Sequence, residues 1–159
     1  MMADKHEFFM LRAIELARQG MDSNSGGPFG AVVVKEGKVI GEGSNLVTST
    51  NDPTAHAEIV AVRNACQKLG SFQLDGCIIY TSCEPCPMCL AAIYWARPEK
   101  IIFGCTRQDA ADIGFDDDFL YGELNKRIEE RKLPMISLMR EKSLSVFQKW
   151  SEKADKTEY

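Results

Sequence analysis

Ala55-His56-Ala57-Glu58 and, further on, Glu84-Pro85-Cys86-Pro87-Met88-Cys89 are the two stretches whose reading decides this chain. An imidazole, two thiols and a carboxylate are the residue types of a hydrolytic metal site. Zinc prefers four tetrahedral nitrogen and sulfur ligands, and His56, Cys86 and Cys89 supply three, which leaves one position for water. Zinc lowers the pKa of such a water toward roughly 7, provided a base moves its proton, and Glu58 is the carboxylate left to do so. Two thiolates and a neutral imidazole also balance the charge of the metal.

The spacing carries a constraint. Cys86 and Cys89, three apart, share one helix face, but His56 and Glu58, two apart, would point to nearly opposite sides in mid-helix. Both pairs therefore belong in first turns. Asn51-Asp52-Pro53-Thr54 reads as a turn and N-cap ahead of an apolar-periodic run from Ala55 to Leu69, closed by Gly70. Pro87 suits the first helical position after a cap at Cys86. Two helix N-termini then meet at the metal, where their positive ends favour thiolates and a developing oxyanion. Cys83 extends the pattern to C-x-x-C-x-x-C, so His56 with three cysteines could instead build a closed structural zinc site. That alternative leaves Glu58 without a role and requires Cys83, at a strand end before Pro85, to turn onto the same metal.

Outward from the motifs, 159 residues that are 45% apolar and 26% charged predict one globular domain with a real core. The N-terminus has Asp4 and Glu7 in an amphipathic pattern and no long apolar run, so neither a signal peptide nor a membrane span is expected. The expectation is a soluble cytoplasmic protein in which Cys66, Cys77, Cys83 and Cys105 are buried thiols and not disulfides. A net charge of −4 disfavours a nucleic-acid footprint, which needs a basic face, and favours a small substrate.

The elements alternate. Asp4-x-x-Glu7 reads as a capping box ahead of a helix running to Gly20, with Met10, Ala13, Ile14 and Ala17 on one face. Phe29 to Lys35 and Lys38 to Asn45 read as a hairpin turning at Glu36-Gly37. After the His56 helix come a strand from Cys77 to Thr81, the Cys86 helix to Ala96 ended by Pro98, and a strand from Lys100 to Gly104. A helix within Asp117 to Arg131, a strand within Pro134 to Met139 and a helix from Leu144 to about Ala154 complete a sheet sandwiched between helices.

The pairing of H-x-E with P-C-x-x-C is the signature of zinc-dependent nucleobase deaminases. The whole chain resembles the bacterial guanine deaminases of the cytidine deaminase superfamily, through GGPFGAVVVK, TNDPTAHAE, YTSCEPCPMCLAAIYWARP, GFDDDFLY and the terminal KTEY. The metal motifs identify the superfamily, whereas IYWARP, GFDDDFLY and KTEY point to the guanine branch. The resemblance implies a three-layer α/β/α fold with a five-stranded mixed sheet, one zinc per subunit and a homodimer. It makes His56, Cys86 and Cys89 the ligands and Glu58 the proton shuttle. It sets Phe29 and Trp95 around the purine ring, has Asn45 hydrogen-bond it, and puts Asp117 in the substrate pocket. Taken singly, Phe29 and Trp95 would be core aromatics, Asn45 a turn residue and Asp116-Asp117-Asp118 a solvated helix start.

The implied reaction is hydrolysis of the amino group at C2 of guanine, giving xanthine and ammonia, with Glu58 moving the protons. The same resemblance implies that the C-terminal segment, about residues 143–159, is exchanged between subunits, so that Tyr159 closes over the partner's pocket. Composition alone would call that polar tail frayed. Cytosine and tRNA adenosine deaminases share the zinc motifs, and the acidic balance counts against the tRNA enzyme.

Overall fold

Four consecutive residues, Ala31-Val32-Val33-Val34, are buried, which is what a strand covered on both faces requires. The computed structural model describes residues 2–115 and 117–159, with side chains from Lys5 onward. The chain divides into two compact units, one ending at Asp118 and the other spanning Phe119–Tyr159.

In the first unit, α1 (Met2–Asp22) leads to the hairpin of β1 (Gly30–Lys35) and β2 (Lys38–Ser44). Glu36 (φ 50°) and Gly37 (φ 74°) are both left-handed, the tight turn whose twist matches paired strands. Then follow α2 (Val47–Thr50), α3 (Ala57–Leu69), β3 (Cys77–Cys83), α4 (Pro87–Ala96), β4 (Lys100–Cys105) and α5 (Arg107–Asp112). The sheet order is β2-β1-β3-β4. The β1–β2 and β1–β3 pairs are antiparallel, whereas β3 and β4 are parallel, joined by α4 as the crossover that parallel strands need.

Alternate residues of β1 serve opposite faces. Ala31 and Val33 pack with Ala57, Ala61 and Ala65 of α3 and with Ile93 and Ala96 of α4. Val32 and Val34 pack with Phe9 and Ala13 of α1 and with Tyr80 of β3. Contact is close enough to demand glycine: a Cβ on Gly43 would stand 2.3 Å from the carbonyl oxygen of Ala57, and one on Gly30 would stand 2.2 Å from that of Ala13. Helices thus lie directly on both faces of a mixed sheet, an α/β architecture.

The helix α6 (Asp118–Asn125) starts on the last residue of the first unit and continues in the second, which also contains a 3₁₀ turn at Ile128–Glu130 and α7 (Arg140–Glu152). The expected fifth strand is a correction. Among the described residues the sheet has four strands, and the segment from Pro134 to Met139 is irregular. A strand exists only against a partner, no sheet forms within this unit, Pro134 has no N–H to give, and Met139 is left-handed at φ 56° as the N-cap of α7.

Smaller corrections have local causes. The His56 helix starts at Ala57 with His56 as its cap, because Asp52 is spent on the backbone N–H and hydroxyl of Thr54. In α1, Phe9 takes the buried place expected of Ile14, which is exposed, and Met10 is half-buried. The helix runs on from Met2, while the side chain of Asp4, the expected cap, lies outside the described residues, as does Asp116. All six cysteines are free, but Cys105 is exposed where burial was expected. No helix of the described residues is long and apolar enough to cross a membrane.

Candidate active site

His56 and Cys86 are equivalent residues on two helices. Each is an N-cap with extended backbone, His56 at φ −66°, ψ 155° before α3 and Cys86 at φ −63°, ψ 167° before α4, and Pro87 occupies the first turn of α4 as its fixed φ favours. The extended cap lets the His56 side chain swing toward the side that Glu58 faces from within the first turn. Nδ1 of His56 lies 3.6 Å from Cys86 Sγ and 3.5 Å from Cys89 Sγ. Tetrahedral zinc with bonds of about 2.3 Å to sulfur and about 2.0 Å to nitrogen has a sulfur–nitrogen edge of about 3.5 Å. The donor atoms thus stand at the edges of a zinc tetrahedron, with Nδ1 as the nitrogen presented. These are the three residues that form a metal-ligating cluster among the described residues.

Glu58 is buried, and its Oε2 accepts a hydrogen bond from Cys89 Sγ at 3.5 Å. Burial pushes its carboxyl above the ordinary range. The hydrogen bond from the Cys89 thiol, then that from His56, holds Cys86 as a thiolate at about 4. The hydrogen bond to Cys86, with burial, pushes Cys89 up, and the hydrogen bond to Cys86 pushes His56 up. The N-terminal ends of α3 and α4 add positive potential at the sulfurs. Cys83 stands apart: its thiol donates to the carbonyl of Thr106 at 3.5 Å, and burial pushes it up to about 11. Among the described residues no fourth protein ligand joins His56, Cys86 and Cys89 to close the site.

His56, Glu58 and Cys86 also line a cavity of about 470 Å³, a volume within the range of small-molecule sites. Phe29, Asn45 and Asp117 line it. Asn45 is buried and held locally: its backbone N–H donates to Phe29, and its Oδ1 accepts from the N–H of Val47 at 3.2 Å. Trp95 does not join them, its indole being 62% exposed on α4 outside the cavity lining. Tyr159 belongs to the second unit and is exposed. The cavity also includes Arg107 and Phe115, which sequence reasoning missed. Arg107 opens α5, whose cap Thr106 forms a capping box with Asp109 that T-x-x-D could have signalled. Glu84, on the turn before Cys86, accepts from the Arg107 N–H at 3.0 Å.

Residues 3–105 match the family pattern of the cytidine and deoxycytidylate deaminase zinc-binding region. The chain belongs to this zinc-binding deaminase family. Its cofactor is zinc, and the donor geometry above fits one ion. The guanine deaminase of Bacillus subtilis (strain 168) is 55% identical over 97% of this chain and 99% of its own length. The crystal structure of guanine deaminase from Bacillus subtilis superposes with a TM-score of 0.94 at 55% identity, covering 97% of this chain and 98% of that one. The tRNA-specific adenosine deaminase of Aquifex aeolicus (strain VF5) is 41% identical over 61% of this chain and 64% of its own length.

Proposed function

We propose that this deaminase hydrolyses guanine to xanthine and ammonia. The observation that carries the reading is the reach of the likeness: identity to a guanine deaminase continues over 154 residues, past the zinc region that ends at residue 105. The likeness to the tRNA adenosine deaminase extends over only 97 residues, and a net charge of −4 suits a free base better than an RNA. The separation of Cys83 from the cluster disfavours a purely structural zinc domain.

His56 Nδ1, Cys86 Sγ and Cys89 Sγ would hold the ion. When bound, zinc supplies the Lewis acidity that makes water a nucleophile near neutral pH. Oε2 of Glu58, beside Cys89, takes the proton from that water and passes protons to the ring and to the departing ammonia. The oxygen of water bonds to C2 of guanine, and the bond from C2 to the amino nitrogen breaks. Asn45 and Asp117 offer hydrogen bonds to the base, and Phe29 an apolar face. Buried polar groups matched to one base reject another that leaves them unpaired.

The second unit fits a role between subunits. Its exposed Leu133, Ile136 and Leu138 lack cover in the monomer, and β4 is an edge strand with Phe103 exposed. We infer a cytoplasmic homodimer of single deaminase domains in which about residues 143–159 are exchanged. Trp95 and Tyr159 then reach a purine across the dimer.

Ammonia release from guanine, adenine, cytosine and cytidine by the purified protein tests the reading. Turnover of guanine well above the others is expected, and faster turnover of cytosine or adenine would overturn the substrate assignment.

A further inference from the structure

Phe115 is held in place by devices at three distances along the chain. It follows α5, where Gly114 at φ 93° takes a conformation that side chains rarely adopt. The Gly114 N–H donates to the carbonyl of Ala111 and the Phe115 N–H to that of Ala110, the paired hydrogen bonds of a Schellman stop. Such a stop commonly packs the residue after the glycine against the helix's last turn, and here Ala110 and Phe115 both line the cavity. On the cavity lining the Phe115 ring meets Phe29 edge to face, with centroids 4.9 Å apart and planes at 89°. Gly27 makes room for this pair: a Cβ there would stand 3.0 Å from Cζ of Phe115 and 3.1 Å from Cε2 of Phe29. The ring is nevertheless 44% exposed, so it is not a core residue.

We propose that Phe115 is a specificity-determining residue, the second aromatic wall for a flat two-ring base, and that Gly27 sets the spacing of the two walls. The inference rests on the guanine reading. Two aromatic rings meeting at right angles present one face and one edge to a planar ligand, and a purine covers more of both than a pyrimidine does. Such a wall contacts the base equally before and during reaction, so its loss raises KM and leaves kcat largely in place.

The test measures kcat, KM and zinc content for the parent protein and for Phe115→Leu, Phe115→Tyr and Gly27→Ala. Phe115→Leu should raise KM for guanine about tenfold with kcat held within about threefold and zinc unchanged. Phe115→Tyr, which keeps the ring, should restore KM, and Gly27→Ala should raise it by displacing the rings. An unchanged KM in Phe115→Leu overturns the proposal. So does a joint fall of kcat and zinc content in both Phe115 variants, which would mark a fold residue. Failure of the parent protein to use guanine overturns the reaction reading instead, and the wall with it, before any variant is compared.

Discussion

At the residue scale, His56 and Glu58 reach one point only because the first caps α3 and the second lies in its first turn. Glu58 is the buried carboxylate beside the donor cluster, and positioned proton transfer contributes typically ~10²–10⁴-fold. Glu58→Gln should therefore lose several orders of magnitude in guanine turnover while keeping its zinc, measured by steady-state rates and metal analysis together. Cys83→Ser should keep the metal as well, because Cys83 Sγ is bonded to the Thr106 carbonyl. Release of zinc by Cys83→Ser would favour a four-ligand structural site. These residues were legible because a two-residue spacing of His and Glu admits few geometries. Phe115 was not, because its position depends on a helix stop and on a ring more than eighty residues away in the sequence, Phe29. Trp95 was read as a pocket residue from resemblance alone, and on its own chain it faces outward.

At the element scale, α1 is tied to β2 by a two-pronged ion pair, Arg12 Nε and Nη2 donating to the two oxygens of Glu42 at 2.7 Å each. The hydrogen bond from Arg12 holds the Glu42 carboxyl below its ordinary value of 4.5. Because the folded value is depressed, the stabilisation is present above the unfolded value and is lost as pH falls through the folded one. Both side chains are more than a third exposed, at 36% and 37%, so solvent screening limits the contribution. Glu42→Gln should cost at most about 1 kcal/mol near neutral pH, and its deficit relative to the parent in urea unfolding should shrink as the pH falls below the ordinary carboxyl value of 4.5. A deficit independent of pH would remove the ion pair from the account. Elements with strong periodicity and punctuation, such as the hairpin at Glu36-Gly37 and the helix closed by Gly70, were readable within a residue or two. The short helices α2 and α5 were not, since four and six residues carry too little periodicity to register.

At the scale of the whole molecule, the first unit has helices on both faces of its sheet, whereas the second exposes apolar side chains and pairs no strand. The fifth strand was expected from the resemblance, with a strand read within Pro134 to Met139, but among the described residues that segment has no partner strand to pair with. If the C-terminal segment is exchanged, deleting Thr157 to Tyr159 should lower guanine turnover sharply without changing zinc content, and light scattering should give twice the mass of the chain. A truncated protein at full rate would make the tail a dangling end. The central claim is that one zinc, held by His56, Cys86 and Cys89 beside Glu58, makes this chain a guanine deaminase. It is tested most directly by stripping the metal and following xanthine formation from guanine as zinc is returned. The account predicts no activity in the stripped protein and a linear rise that ends at one zinc per chain. Full activity without zinc, or none after its return to a folded protein, would contradict it.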